Sequence, residues 1–460
     1  MKLITGLSLI ACLPLVALTQ TAVNAAAWQA PPSERAELYD LGVAAEAERI
    51  ARDVTQLVAF GTRHTLSETD STSRGIGASR RWIEAEFRRI SASCGGCLEV
   101  ILVADTVSGK RIPQPTEVVN VIAIQKGKHD PKRVVMMAGD IDSRITDPMN
   151  AHDDSPGAND NGSGVAGVLE AARLLSQYQF NGSIVYAALS GEEQGLYGGA
   201  ILAKYAQQQQ WNIDAVLNND MIGNIEGING VIDNHTARVF SEGTRFVETT
   251  EEAKLRRFTG GEVDSASRNL ARFIKKVGEH YVPNLDIMMI YRLDRFGRGG
   301  HHRPFNEAGF PGVRIMETWE HYDRQHQDLR SEKGVTYGDT LAGVNFPYAA
   351  KLTSLNAVVL ASMAWAPAPP ARVEISGQVS ANTTLTWAAA DQANAKLLAG
   401  YRIYWRLTTE AEWSHHRFVG KVESFTLDNI VIDNYYFGVA AVGLDGSESP
   451  VVFPGPAGRF

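Results

Sequence analysis

Short apolar runs alternate with helix-like segments through most of this chain, and this alternation limits the possible fold more than any other feature. The runs have the length and residue types of buried strands. Four of them are "RVVMMAG", "SIVYAALS", "IDAVLNND" and "PGVRIME". Amphipathic helical patterns cover residues 33–60 and 75–90, and helix-like stretches lie between most of the runs. The alternation predicts an α/β domain with a mostly parallel or mixed central sheet sandwiched by helices.

A proline-rich segment, "APAPPA" at residues 366–371, divides the chain. This composition cannot continue a helix, and the segments that follow it are rich in β-formers and separated by turn residues. We therefore predict an α/β domain at 26–365, a hinge at 366–371 and a small all-β sandwich at 372–460. A hinge of this kind also predicts few contacts between the two domains.

The first residues have the pattern of an export signal. Lys2 supplies a positive charge, "LITGLSLIACLPLVAL" an apolar stretch and "AVNAAA" the small residues of a cleavage site. We expect residues 1–25 to be a signal peptide and the protein to be exported to the periplasm or beyond. The alternative is lipoprotein anchoring at Cys12, because "LIAC" fits such a site. No membrane span is expected.

The net charge and the cysteine content indicate which partners and which redox environment to expect. The net charge is −8 and no long basic run is present, which argues against nucleic acid and anionic membranes as partners. After signal cleavage, Cys94 and Cys97 remain, in "SCGGC". In an oxidising compartment this spacing favours a local disulfide, with metal or redox chemistry as the alternatives.

Acidic residues recur where the predicted strands end. They are Asp140, Asp142, Asp160, Glu192, Glu193 and Asp220, with His321 and His326 after the last strand. Any one of the acids could be a helix cap or a solvated loop charge. However, ligands bind at the carboxyl ends of the strands in open α/β sheets, and carboxylates crowded there repel one another and take up protons. One divalent cation, or a pair, would relieve that repulsion.

Residues 40–365 resemble the secreted bacterial double-zinc aminopeptidases and their relatives, including glutamate carboxypeptidases and glutaminyl cyclases. The motifs that carry the resemblance are "PGANDNGSG", "SGEEQGLYGG" and "NNDMIG", with weaker agreement at "RHTLS" and "FNEAGFPGVRIME". The C-terminal segment resembles a fibronectin type III domain, through Trp387, "YRIYW" and "YYFGVAAVGLDGSES". That second resemblance implies a module that binds protein or a surface polymer.

The first resemblance implies a peptidase that removes residues from the N-terminus of peptides with two divalent ions, most often Zn²⁺. By position, Asp160 would bridge the ions. Glu193 and His326 would hold one of them, and Asp140 with Asp220 the other. Glu192 would be the general base that takes a proton from the bridging water, and Asp142 would support the site from beneath.

The chain departs from the family pattern at two positions. The family usually has histidine where Asp140 stands in "GDIDS", and an acidic residue where His301 stands in "GGHHRPF". A carboxylate at 140 still binds a divalent ion but favours harder ions such as Mn²⁺. His321 is the alternative to His326 as the last ligand. The alternative functions are a related carboxypeptidase or glutaminyl cyclase, and a binding protein whose peptidase activity is lost.

Overall fold

The structure of the protein is a computed structural model that describes residues 28–389 and 392–460. The predicted signal peptide at 1–25, including Cys12, lies outside the described residues. Within the described part of the chain, no helix has both the length and the apolar character needed to cross a membrane. Cys94 and Cys97 form a disulfide, as the sequence predicts.

The described residues form ten α-helices and sixteen β-strands. The helices are α1 (Ala36–Leu41), α2 (Ala47–Val58), α3 (Gly75–Ser93), α4 (Gly164–Leu175), α5 (Tyr197–Gln208), α6 (Thr250–Thr259), α7 (Ala266–Tyr281), α8 (His302–Glu307), α9 (Phe346–Trp365) and α10 (Gln392–Ala395). The strands of the first part are β1 (Leu98–Gly109), β2 (Ile112–Gln125), β3 (Asp130–Asp140), β4 (Gly182–Leu189), β5 (Asn212–Asn219), β6 (Thr236–Ser241), β7 (Asp286–Ile290), β8 (Gly312–Glu317), β9 (Arg330–Glu332) and β10 (Val335–Tyr337). Those of the C-terminal part are β11 (Ala371–Ser376), β12 (Thr383–Ala388), β13 (Leu398–Leu407), β14 (His415–Phe418), β15 (Ser424–Leu427) and β16 (Tyr435–Gly443).

Eight strands build the central sheet, in the order β1-β2-β4-β3-β5-β8-β6-β7. The four apolar runs of the sequence are β3, β4, β5 and β8, which lie side by side and run parallel. Every residue of β4 and β8 is buried, as expected for strands covered on both faces. The predicted α/β class with a mixed sheet is therefore confirmed.

Helices cover both faces of this sheet. On one face, the larger core contains apolar side chains of α3, α4, α7 and α9 packed against the strands. On the other face, α5 and Phe305 of α8 cover a smaller core. The carboxyl ends of the parallel strands are left open between these two layers, and the candidate site lies at that edge.

Two local features differ from the sequence expectation. The helical pattern at 33–60 forms two helices with a break after Leu41, and Gly42 at the break packs so closely on α7 that a Cβ atom would lie 2.0 Å from the carbonyl oxygen of Tyr281. The sheet also begins with a long antiparallel hairpin of β1 and β2 that the apolar runs do not reveal. Most residues of β1 are at least partly exposed, so this strand lacks a continuous apolar signature.

The C-terminal residues form two three-stranded antiparallel sheets, β11-β12-β15 and β14-β13-β16. They enclose a separate core that includes Trp387, Tyr401, Ile403 and Phe437. The small all-β unit expected after the proline-rich segment is therefore present. The alternating apolar residues of β12, β13 and β16 face this core, which explains why the pattern was visible in the sequence.

The expectation that few contacts cross the proline-rich segment is wrong. Asp264 accepts hydrogen bonds from the Arg406 Nη2 atom at 2.7 and 2.9 Å, and both side chains are buried. Lys276 donates to the Tyr404 hydroxyl at 2.9 Å. Proline content restricts the backbone but carries no information about the surfaces on either side of it. The two parts of the chain are joined by a buried, charged interface.

The Asp264–Arg406 pair should contribute strongly to stability. Arg406→Met leaves the Asp264 carboxylate buried with less compensation, so we expect the free energy of unfolding to fall by about 3 kcal/mol. Urea unfolding followed by tryptophan fluorescence measures this loss. The control is Lys204→Met in the exposed Lys204–Asp105 pair, which should leave the unfolding midpoint unchanged. Equal midpoints for Arg406→Met and the parent would contradict the assigned role of the interface.

Candidate metal centre

Acidic side chains meet where the parallel strands end. Asp140 is the last residue of β3, Asp220 directly follows β5, and the loop after β4 carries Glu192 and Glu193. This edge of the sheet borders a cleft of about 620 Å³. The side chains that line it include Asp160, Glu192, Glu193, Asp220 and His326, together with five arginines, Arg111, Arg144, Arg295, Arg298 and Arg303.

Asp160, Glu193 and His326 form the one cluster in the described residues where at least three donors of metal-ligand type lie within 4.8 Å of one another. The His326 Nε2 atom is 2.8 Å from Asp160 Oδ2 and 2.9 Å from Glu193 Oε1. Burial alone would lower the pKa of His326, but the two carboxylates outweigh it and raise that pKa to about 9. The cluster therefore concentrates negative charge around one imidazole nitrogen, which is the setting of a cation site.

The donors of this cluster fit one zinc ion. Carboxylate oxygens and imidazole nitrogens both bind zinc, and catalytic zinc sites have three protein ligands with a fourth position left open. Arg144 donates to Glu193 Oε2 at 2.7 Å and lies 2.6 Å from His326 Nδ1. The hydrogen bond to Glu193 holds that side chain through Oε2 and leaves Oε1 beside His326 Nε2 and Asp160.

The loop that carries Asp160 is fixed by two further buried carboxylates. Asp339 accepts the backbone N–H groups of Asn159 at 2.9 Å and Asp160 at 2.7 Å. Glu317 accepts from the Asn159 side chain at 2.9 Å. On the other side, the buried Arg63 guanidinium donates to the Gly157 carbonyl oxygen at 2.8 Å. These contacts determine where the Asp160 carboxylate points.

Sequence reasoning missed Asp339 and Glu317. Glu317 ends the run "PGVRIME", so the rule that selected the other acids at strand ends could have found it. Asp339 follows no predicted strand and carries no signal of this kind. Burial raises the pKa of Glu317 to about 8 and that of Asp339 to about 7, although backbone N–H groups oppose both shifts.

Asp142 lies beneath the two adjacent glutamates and binds their backbone. Its Oδ1 accepts the backbone N–H of Glu192 at 3.1 Å, and its Oδ2 accepts that of Glu193 at 3.0 Å. Burial, together with Glu193 and the neighbouring aspartates, raises the pKa of Glu192 well above its ordinary value. The pKa of Glu193 is lowered instead, because His326 and Arg144 outweigh its burial. Glu192 therefore binds a proton more strongly than Glu193 does.

Asp140 and Asp220 are not brought into the cluster. His301 Nδ1 lies 2.5 Å from Asp140 Oδ1, and the Asn161 side chain donates to Asp140 Oδ2 at 2.7 Å. Asp220 Oδ2 lies 2.9 Å from the guanidinium of Arg314, a residue that sequence reasoning missed. A second ion would need both aspartates, but both oxygens of Asp140 and one oxygen of Asp220 already face protein groups. The residues present at that position do not fit a second metal ion.

Comparison with known proteins identifies the family and supports the fold. A sequence model of Peptidase family M28 matches residues 120–333. A probable zinc metalloprotease of Leptosphaeria maculans is 41% identical over 427 residues, which cover 92% of this chain and 98% of that protein. One from Pyricularia oryzae is 43% identical over 414 residues, 89% of this chain and 82% of that protein. The LapA aminopeptidase of Legionella pneumophila gives a TM-score of 0.51 at 18% identity over 73% of this chain and 75% of that chain.

The fold and the cluster at its sheet edge define an α/β protein with the site of a metallopeptidase. The chain belongs to peptidase family M28. Both sequence relatives described above are fungal, so they do not support the bacterial source implied by the resemblance. The similarity to LapA, at 18% identity, shows the shared fold alone.

The two candidate histidines can be separated by metal binding. We expect His326→Gln to lose bound zinc on dialysis, because His326 supplies the only imidazole of the cluster. His321→Gln should keep its zinc, since His321 lies outside the cluster. Elemental analysis of both dialysed proteins measures the difference. Zinc loss from His321→Gln, with His326→Gln still loaded, would reverse the assignment.

Proposed function

We propose that this chain is a zinc-dependent aminopeptidase, an exopeptidase that hydrolyses peptide bonds at the N-terminus of peptides. The observation that carries the proposal is the Asp160–Glu193–His326 cluster, with Glu192 lining the same cleft. The fungal relatives bear the name zinc metalloprotease, which supports zinc as the ion. The proposed reaction requires one zinc ion, bound at this cluster.

The chemistry of the chain centres on Glu192. Zinc bound at the cluster would supply a Lewis acid that polarises the substrate carbonyl and increases the acidity of a water molecule. Glu192 accepts a proton from the attacking water and passes it to the leaving nitrogen as the C–O bond forms and the C–N bond breaks. Burial raises the pKa of Glu192, which makes its carboxylate a stronger proton acceptor.

Asp142 fixes the positions of the proposed base, Glu192, and the proposed ligand, Glu193. Its carboxylate binds both backbone N–H groups of the Glu192–Glu193 pair, so it fixes the turn from which the two side chains leave. Glu193 is held by Arg144 and His326, whereas Glu192 remains at the cleft wall. Loss of Asp142 would therefore disturb both the proton transfer and the ligand position.

The size of the cleft supports an exopeptidase. Its volume of about 620 Å³ is within the range of roughly 300–1,000 Å³ that holds small ligands. A space of that size suits the end of a peptide rather than the middle of a folded chain.

A carboxypeptidase is the second candidate, and the arginines of the cleft favour it. Guanidinium groups bind carboxylates with two hydrogen bonds, so they could hold a free C-terminus. Arg298 and Arg303 have side chains that are 34% and 47% exposed, which leaves them accessible to a substrate. Release of the C-terminal residue from an N-acetylated peptide, without cleavage of aminoacyl anilides, would favour this candidate.

We also propose that the protein is exported and that residues 372–460 are a fibronectin type III-like module. The signal-like N-terminus supports export, as does the Cys94–Cys97 disulfide, since such bonds persist in oxidising compartments. Two packed antiparallel sheets support the module. Its charged contact with the α/β domain suggests that it also braces that domain.

Replacing the proposed base tests this function. We expect Glu192→Gln to retain its fold and its zinc while the hydrolysis of aminoacyl anilides falls by a factor on the order of 10² or more. The control is Glu99→Gln, a partly exposed glutamate paired with Lys126 away from the cleft, which should keep full activity. Loss of zinc together with activity in Glu192→Gln would make Glu192 a ligand and contradict the assignment.

A further inference from the structure

We propose that Arg314 is a fixed protein cation that takes the place of a second metal ion, so that the protein binds one divalent ion per chain. The inference rests on the proposed function only for the ion at the Asp160 cluster. It concerns the position between Asp140 and Asp220, which the resemblance assigns to a second ion.

Arg314 is held rigidly beside Asp220. Its side chain is fully buried on β8, the strand adjacent to β5. Its Nε atom donates to the backbone carbonyl oxygen of Asp220 at 3.0 Å, and its Nη1 atom donates to that of Gly299 at 2.9 Å. Asp294 lies 3.2 Å from Nη1. With partners on three sides and no exposed surface, the guanidinium cannot move out to admit another cation.

The charge of Arg314 also disfavours a divalent ion at Asp220, because this guanidinium is fully buried, whereas Arg144 beside Glu193 is partly exposed. Its Nη2 atom lies 2.9 Å from Asp220 Oδ2, so the carboxylate already has a positive partner. A metal ion bound to Asp220 would sit within a few ångströms of this guanidinium. In a buried site, where water screens poorly, the repulsion between those two cations would be strong. Arginine remains protonated at any pH at which the protein is folded, so this cation cannot be switched off.

Asp140 contacts His301 rather than Arg314, and this contact explains both departures from the family pattern. The sequence has an acid where the family usually has histidine, and His301 where it usually has an acid. In the structure these two residues touch, with 2.5 Å between His301 Nδ1 and Asp140 Oδ1. The acid and the imidazole have exchanged places as a pair. Asn161 holds the other oxygen of Asp140 at 2.7 Å, so the carboxylate is satisfied without a metal.

The number of bound ions tests the inference directly. Full-length protein is stripped with a chelator, reloaded with zinc, dialysed and analysed for zinc per chain by mass spectrometry. We expect one ion in the parent and one in Asp220→Asn, because Asp220 binds Arg314 rather than metal. Asp140→His should also bind one ion, since Arg314 still holds Asp220. The double variant Asp140→His/Arg314→Met should gain a second ion.

Arg268→Met is the matched control. Arg268 is a fully buried arginine on α7 that binds Ser241, so its loss perturbs packing without freeing a carboxylate of the cleft. It should bind one ion. Circular dichroism and thermal unfolding establish which variants are folded. If the double variant does not fold, the counts for the parent and Asp220→Asn still decide the question.

Two ions in the parent would overturn the inference and leave the proposed function intact. Loss of the single ion from folded Asp220→Asn would also overturn it, because Asp220 would then be a ligand. So would a folded double variant that still binds one ion, since Arg314 would not be what excludes the second. A parent that binds no ion would overturn the metal centre itself, and with it the proposed function.

Discussion

Crowding of carboxylates at one edge of the central sheet is the constraint on which the site depends. Asp140, Asp142, Asp160, Glu192, Glu193 and Asp220 all lie at or next to the carboxyl ends of adjacent parallel strands. Burial makes each of them costly as an anion unless a donor or a cation is close. Several of these carboxylates are satisfied by partners within the protein. The others are the ones left to bind a metal ion.

The carboxylates differ in the partners that the protein gives them. Arg314 lies against Asp220, and His301 and Asn161 contact the two oxygens of Asp140. Asp142 is bound by backbone N–H groups and becomes part of the framework. Asp160 and Glu193 share only one imidazole, that of His326, at the centre of their cluster. In the proposed function, a zinc ion would complete the charge balance there, and Glu192 would be left to act as the base.

The sequence predicted the fold class and the strands that form the site, but it did not predict how their charges are paired. β3, β4, β5 and β8 could be recognised because each contains a short apolar run that ends at or near an acid. Arg314 was hidden inside such a run, and its partner Asp220 lies 94 positions earlier in the chain. Asp140 and His301 were each noticed as departures, but only folding shows that they form one pair. The buried contact of Arg406 with Asp264 was missed for the same reason, since local pattern carries no information on tertiary partners.

Anomalous X-ray scattering at the zinc absorption edge, from crystals of the zinc-loaded protein, tests the metal centre most directly. The account predicts a single strong peak within bonding distance of Asp160 Oδ2, Glu193 Oε1 and His326 Nε2, with Arg314 still against Asp220. A second peak of comparable height between Asp140 and Asp220 would contradict it, as would the absence of a peak at the Asp160 cluster.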